Sequence, residues 1–465
     1  MSVVIDPKNL IIDPNRNATT NHSSTIYVRE QHGKYQRIRR NIAFFLMALF
    51  ALLPWVTIDG KQSILLDVGQ QQMHIFGTTL FPQDFPVIAG LLMVAAFGLF
   101  FLTAWLGRVW CGFLCPQTHW LFIFIWLEEK IEGSRNQRIQ LDKQPIGFAK
   151  TTKKTAKHVS WMLVAFVTAT TFISYFIPPF TLYTDLYNSD WSNLVTFWVL
   201  FFAVCTYGNA GWLREKMCLH ICPYARFQSA MFDRDTLIVA YDAKRGESRG
   251  ARKRKDDHQA LGLGDCVDCN LCVDVCPTGI DIRHGLQYEC ISCGACADAC
   301  DQTMKKFNYP QGLIRFTSEA QLAGGTTKRL RPKIVSYALI SVIIVASMAS
   351  YWAERVPVEL TVLRDRNVLY RINNDQMIEN SYQLKLLNKS ASTKQYTVII
   401  DGINMASSSL KQPIVVDSGE LASVIVTVTV DPQQLDKSVL PINLKIVDSE
   451  TNSELVVYQS RFYSE

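Results

Sequence analysis

Five apolar stretches, at about Ile42–Ile58, Val87–Leu106, Val159–Ile177, Leu194–Trp212 and Ile334–Trp352, constrain this chain more than any other feature. Each approaches the roughly 20 residues a helix needs to cross a bilayer, where every backbone N–H and C=O must find its partner within the chain. The 48% hydrophobic content, high for a soluble chain of 465 residues, agrees with that reading. The stretches divide the sequence into an N-terminal tail, 1–41, a four-helix membrane region, 42–212, a polar section, 213–333, a fifth span, 334–352, and a C-terminal domain, 353–465. A further apolar run, Trp120–Leu127, is too short to cross and is expected to lie along the inner face or form a re-entrant piece.

Charge between the spans sets the expected orientation. Residues 59–86 carry one basic side chain, Lys61, and residues 178–193 carry none, whereas residues 107–158 carry nine. Arg29, Lys34, Arg37, Arg39 and Arg40 form a basic collar before the first span. The positive-inside rule then places the N-terminus and the 107–158 and 213–333 segments in the cytoplasm, and five spans leave the C-terminal domain outside, in the periplasm of a bacterium. Trp55, Trp105, Trp110, Trp161, Trp191, Trp212 and Trp352 fall near the span ends, as interfacial anchors do. Residues 1 to about 27 read as a loose polar tail with no cleavable signal, so the chain is expected to be a multi-pass protein of the inner membrane.

Eight of the thirteen cysteines lie in residues 266–300, spaced C-x2-C-x2-C-x3-C twice over. This is the run with which two-cluster bacterial ferredoxins hold cubane clusters, the fourth cysteine of each run reaching across to the other cube. Cys266, Cys269, Cys272 and Cys300 are thus expected to ligate one 4Fe-4S cluster, and Cys290, Cys293, Cys296 and Cys276 the second, in a ferredoxin-type domain at about 257–306. Zinc sites use paired C-x2-C hooks instead, and disulfides need an oxidising compartment. Pro277 follows the first run, whereas Asp301 stands where a second proline would be.

Two further motifs, Cys111-Gly-Phe-Leu-Cys115-Pro116 and Cys218-Leu-His-Ile-Cys222-Pro223, lie 107 residues apart, each after a span at its expected cytoplasmic end. Positions i and i+4 share a helix face, so each pair is expected to present two thiols in one direction, with the proline perturbing or ending the local geometry. Four converging sulfurs would suit Cu(I), iron or a further cluster; each pair could instead be a redox-active dithiol. His119 and His220, beside or inside these motifs, and His74, beside Met73, are weaker copper candidates, and Cys205 reads as a packing residue. None of the eight histidines lies within a span core, which argues against a membrane b-type haem.

After the last span the pattern turns strand-like, with Gln395–Ile400, Ala422–Val430, Ile442–Val447 and Leu455–Phe462 rich in β-branched residues. With weaker candidates near Leu360, Val368 and Tyr382 these make about seven strands, enough for a small β-sandwich without cysteine or histidine, read as a docking or structural module. The basic stretch Asp242–Gln259 reads as a flexible loop beside an anionic leaflet of the lipid bilayer, and no nucleic acid is expected as a partner.

The sequence resembles the CcoG family, also called FixG or RdxA-type proteins, accessory to cbb3-type cytochrome oxidase. The resemblance spans nearly the whole chain and is carried by FPQDF at 81–85, GRVWCGFLCPQT at 107–118, EEKIEG at 128–133, TYGNAG at 206–211, CPYARFQSAM at 222–231 and GLIR at 312–315. It implies a membrane cupric reductase that supplies Cu(I) to the oxidase's copper site, with an immunoglobulin-like C-terminal domain and oxidase assembly factors as partners. Cys111, Cys115, Cys218 and Cys222 are then expected to be the catalytic and copper-binding residues, fed from a cytoplasmic donor through the two clusters. The donor is unnamed, since no flavin- or nicotinamide-binding glycine motif is present. Two other readings stand beside this one: a quinol-linked membrane ferredoxin serving a respiratory reductase, and a non-catalytic oxidase assembly scaffold.

Overall fold

The computed structural model describes residues 26–464 apart from 59, 366, 367, 391, 404, 405, 411 and 436; the tail read before residue 26 lies outside the described residues. In chain order the helices are α1 (Lys34–Leu52), α2 (Phe85–Leu106), α3 (Pro116–Glu132), α4 (Arg135–Lys143), α5 (Phe148–Ile173), α6 (Pro179–Asn188), α7 (Asn193–Tyr207), α8 (Pro223–Met231), α9 (Ala243–Gly246), α10 (Leu271–Asp274), α11 (Ala295–Phe307), α12 (Glu319–Leu322) and α13 (Pro332–Ala353). Five segments are long and apolar enough to cross a membrane: α1 with the turn to Trp55, Pro82–Leu106 ending in α2, α5, α7 with the following turn to Leu213, and α13. Leu91, Leu92 and Met93 on α2 and Leu339, Val342 and Ile343 on α13 are exposed, the disposition of side chains that face lipid.

Two helices outrun their apolar cores. α5 begins at Phe148 rather than near Val159, because the intervening Ala, Lys and Thr residues favour or tolerate helix and Lys157 finds carboxylates, 2.8 Å from Glu132 and 3.5 Å from Glu128. α3 extends the short run Trp120–Leu127 in both directions, with Pro116 at its first turn, where the missing N–H costs nothing, and Gly133 at φ 99° after its end. Its inward face, Thr118, His119, Leu121, Phe124, Ile125, Glu128 and Glu132, follows helical spacing, and Phe124 stacks on Trp161 of α5 with ring centroids 5.3 Å apart.

Within the chain's first compact unit, which joins the part up to Trp55 to Ala89–Ala346, the cysteine-rich section is pinned by an antiparallel pair of strands, Ile238–Tyr241 and Ile314–Thr317. Val239, Ile282, Ala297, Met304, Leu313 and Ile314 form its core. The segment before α1 packs on this section: the Arg29 N–H donates to the Asp274 carbonyl at 2.8 Å, and both Asp298 oxygens accept from the first turn of α1, from the Tyr35 N–H at 3.1 Å and the Gln36 N–H at 2.8 Å. The basic stretch at 242–259 braces the same section rather than hanging free. Arg245 pairs with Asp265 at 2.5 Å, and Arg252 donates to the Gly264 carbonyl at 2.7 Å and lies over the Tyr309 ring. Lys253, Arg254 and Lys255 stay exposed.

The second compact unit joins Val56–Ile88 to the chain from Ser347 onward. Its β-sandwich sets the strands Ser407–Ser408, Leu421–Val430, Ile378–Asn388 and Val358–Arg364 in one sheet, with Arg371–Ile372 beside Ile378–Asn388. The facing sheet has the order Ile414–Val416, Lys394–Asp401, Val439–Asp448, Glu454–Tyr463. Alternate residues point inward: Tyr382, Leu384 and Leu386 of one sheet and Ile442, Leu444 and Ile446 of the other are fully buried, each worth about 1.5–3 kcal/mol. The four strong strand expectations all fall on strands, while Val368 lies outside any strand and Ile414–Val416 is an addition. The 56–88 excursion forms a three-stranded sheet of its own, Ile64–Asp67, Gln72–Ile75 and Thr78–Leu80. It is tied to the rest of its unit by buried Asp84, which accepts from Arg355 at 2.7 Å with Lys389 3.8 Å away.

Candidate electron-transfer site

The two cysteine runs adopt the same backbone. Asp268 and Asn270 in the first and Ser292 and Gly294 in the second, the same two positions of each C-x2-C-x2-C, have φ of 52°, 55°, 51° and 74°. These left-handed residues turn successive cysteines toward one centre, and short polar side chains or glycine tolerate them best. Gly294 has a second reason to be glycine, since a Cβ there would stand 2.8 Å from the Tyr35 ring.

Cys266, Cys269, Cys272 and Cys300 line one internal cavity, and Cys276, Cys290, Cys293 and Cys296 line the other, with Cys272 also reaching the second. All thirteen cysteines are free thiols. Among the described residues no three His, Cys, Asp or Glu side chains come close enough to hold one metal ion. All-sulfur sets too wide for a single ion fit a polynuclear centre and not a zinc site. Burial pushes the Cys272 and Cys290 thiols up to about 12 and raises Cys276, Cys296 and Cys300 as well, each further raised by neighbouring cysteines. Thiols so reluctant to ionise alone would lose their protons only to a positively charged group, which the iron of a cluster held here would supply.

Both C-x3-C-P motifs form a π turn rather than the α-helical face expected from i, i+4 spacing. Trp110–Leu114 and Met217–Ile221 are π segments, closed by the Cys115 N–H on the Trp110 carbonyl and the Cys222 N–H on the Met217 carbonyl, both at 2.9 Å. Cys115 and Cys222 are extended, and the proline that follows each opens the next helix, α3 or α8. The i→i+5 closure arises because the second cysteine must leave helical geometry before a proline.

The cysteines of the two motifs lie near enough to perturb one another. Burial pushes Cys111 up to about 11, with Cys115 and Cys222 adding to the shift and Gln228 and Arg108 opposing it. Burial likewise pushes Cys218 up to about 12, reinforced by Cys115, Cys111 and Cys222. The Cys111 thiol donates to Gln228 Oε1 of α8 at 3.4 Å. His220 is exposed, whereas His119 is buried with neither ring nitrogen hydrogen-bonded among the described residues; burial and then the charge of Arg39 lower its pKa. His74 bonds Thr79 at 3.0 Å, and Cys205 lies within α7.

The first motif also touches the second cysteine run. Cys111 packs into one apolar cluster with Val275, Ile291, Cys293, Ala295 and Ala299. A Cβ on Gly112 would stand 2.8 Å from the Ile291 carbonyl oxygen, so only glycine admits that approach. Buried Arg108 fastens the junction, donating to the Tyr288 carbonyl, to the Cys290 carbonyl at 3.2 Å and to the Ala225 carbonyl of α8 at 3.2 Å. Gly112, Arg108 and Gln228 stood in the sequence only as members of the motifs at 107–118 and 222–231, with no role of their own.

A 4Fe-4S dicluster domain matches residues 213–319, and the IG-like fold at the C-terminal of FixG matches residues 348–465. The chain is 31% identical over 419 residues to the nitrogen fixation protein FixG of Rhizobium meliloti, covering 82% of this chain and 80% of that protein. To protein RdxA of Cereibacter sphaeroides it is 33% identical over 395 residues, 81% and 82% of the two chains. To protein RdxB of the same organism it is 35% identical over 391 residues, 81% of each. Among solved structures, the FixG-related protein from Vibrio parahaemolyticus is 29% identical, with a TM-score of 0.22 over 23% of this chain and 97% of that one.

Proposed function

The chain belongs to the FixG family, and on that premise we propose that this membrane iron-sulfur protein reduces Cu(II) to Cu(I) at Cys111, Cys115, Cys218 and Cys222, supplying copper for assembly of a cbb3-type cytochrome oxidase. Two 4Fe-4S clusters held by the eight cysteines of 266–300 would supply one-electron transfer. The observation that carries the reading is the shared apolar cluster of Cys111 and Cys293, which supports direct passage of an electron from the second cysteine run to the motif thiols. Thiolates prefer Cu(I) to Cu(II), so binding there adds driving force to the reduction.

In the proposed orientation the clusters and both motifs are cytoplasmic and the sandwich is periplasmic. The contact of the segment before α1 with the cluster section and the union of the 56–88 excursion with the sandwich both support it, since each pair needs one side of the membrane. The test is to replace Cys111 and Cys115, or Cys218 and Cys222, by serine, reduce the clusters with dithionite, remove the excess reductant and follow Cu(I) formation on addition of Cu(II). Activity should vanish while the cluster spectra persist; undiminished activity would refute the assignment.

A second reading, electron entry from a membrane quinol, is favoured by one observation. A cavity of about 210 Å³ is lined by Phe50, Trp120, Phe172, Phe202, Gln117 and Asn209, rings with a few polar groups, two residues from Cys115. Cluster reduction by duroquinol without any copper response would select it.

A further inference from the structure

The two cysteine cavities differ in the charges around them. At the cavity of Cys266, Cys269, Cys272 and Cys300, Arg283 spends its donors on Asp268 at 2.5 Å, Asp281 at 2.6 Å and Asn270 at 2.6 Å. Arg252 reaches the Cys266 carbonyl, and Asp301 adds a third carboxylate beside Cys300. Two guanidinium groups thus face three carboxylates.

The cavity of Cys276, Cys290, Cys293 and Cys296 has the opposite balance. Arg39 of α1, 4% exposed, stands beside the Cys293 thiol with its guanidinium 3.7 Å from the Phe122 ring centroid. Arg108, 5% exposed, lies on the Cys290 carbonyl. Neither forms an ion pair within 4 Å among the described residues; the nearby carboxylate is Asp298, whose oxygens are occupied by the backbone of α1. Arg39 Nη1 and Arg108 Nε are buried donors without acceptors, an expensive condition, and Arg39 stands where the sulfur of a cluster on Cys293 would relieve it.

We propose that Arg39 and Arg108 are positioning residues that set the site of Cys276, Cys290, Cys293 and Cys296 at the higher reduction potential, so that electrons run inward from the partly exposed site of Cys269 toward Cys111. Net charge and hydrogen bonds to sulfur are the established controls of cluster potential, and both act here in the same direction. Deeper burial of Cys290 and Cys293 acts the other way, but a difference of two charges in low-dielectric surroundings outweighs it. The inference rests on the proposed cluster ligation and needs no copper chemistry, so it can fail or stand independently of the cupric reductase reading.

The experiment is a redox titration followed by EPR on the full-length protein in detergent, without copper. Wild type should give two reduction steps. Arg39→Gln should move the higher step downward, changing its reduced-to-oxidised ratio at fixed potential by about tenfold, equivalent to 59 mV for one electron, while the lower step stays. Arg39→Lys, which keeps the charge, should restore most of the shift. Asp268→Asn, at an exposed position, should raise the lower step only. Movement of the lower step in Arg39→Gln, or of neither, overturns the proposal. If Arg39→Gln fails to retain its clusters, Asp268→Asn decides alone: any result other than a rise of the lower step overturns it.

Discussion

Gly112 lies so close to Cys293 that a methyl group on its Cα would stand 3.0 Å from the Cys293 Cα, with two carbonyl oxygens, of Ile291 and Ser292, nearer still at 2.8 and 2.9 Å. This is backbone against backbone, without a flexible side chain to yield. The first C-x3-C-P motif and the second cysteine run are thereby held in direct backbone contact.

Gly112→Val should therefore push the two segments apart. Overpacking of this kind costs about 1–3 kcal/mol, and electron transfer should suffer more than stability because the displaced element carries Cys111. Stopped-flow oxidation of the reduced clusters by Cu(II) should slow by at least about tenfold, an outcome expected for any bridging contact worth about 1.4 kcal/mol in the barrier. Wild-type kinetics in this variant would detach Cys111 from the electron path.

Asp298 joins the cysteine run to α1 by accepting from the N–H groups of Tyr35 and Gln36. Asp298→Ala removes this cap, with an expected loss of about 1–2 kcal/mol. Because Asp298 sits between Cys296 and Cys300, the loosened junction should also expose the clusters. Iron release to a chelator is the measurement, and it should accelerate relative to wild type.

Glu128 binds three cations, Arg214 at 2.9 Å, Arg138 at 3.3 Å and Lys157 at 3.5 Å. Burial by itself would raise its pKa, but Arg214, Lys157 and Arg138 hold it below the ordinary carboxylate value. A carboxyl lowered on folding contributes stability that is full above its unfolded pKa of about 4.3 and disappears as pH falls through the folded value. Unfolding followed from about pH 6 down to pH 3 should show that loss. Glu128→Gln should cost about 3–5 kcal/mol at neutral pH by stranding buried cations, and its stability should depend less on acid.

In the second unit, Asp84 is 1% exposed and pairs with Arg355. Asp84→Ala leaves Arg355 and Lys389 without their buried partner, with an expected cost of about 3–5 kcal/mol. Limited proteolysis should then cut within residues 56–88 before the sandwich is attacked. Equal resistance of variant and wild type would show that the pair does not hold the excursion.

The spans, the doubled cysteine run and the sandwich were legible because each rests on a short repeat: about 20 apolar residues, a ligand spacing, or strand alternation. The shape of the C-x3-C-P motifs was not legible. Cys111 and Cys115 have helical spacing, and only the competition between the turn and Pro116 selects i→i+5 closure. Arg39 was misleading for another reason. As one member of a basic collar it reads as an interfacial charge, yet it is 4% exposed beside Cys293, a placement fixed by contacts between residues more than 250 positions apart. The 56–88 excursion hid its alliance with the sandwich because its strands are only two to four residues long, too short to show alternation.

That alliance fixes an order of manufacture. Val56–Ile88 leaves the ribosome early, and its partner from Ser347 onward follows only after more than half the chain has been made and α13 has been inserted. Until then the excursion waits without its other half, and Asp84 without Arg355. Completion of the second unit therefore has to wait for the last of the long apolar helices to be made.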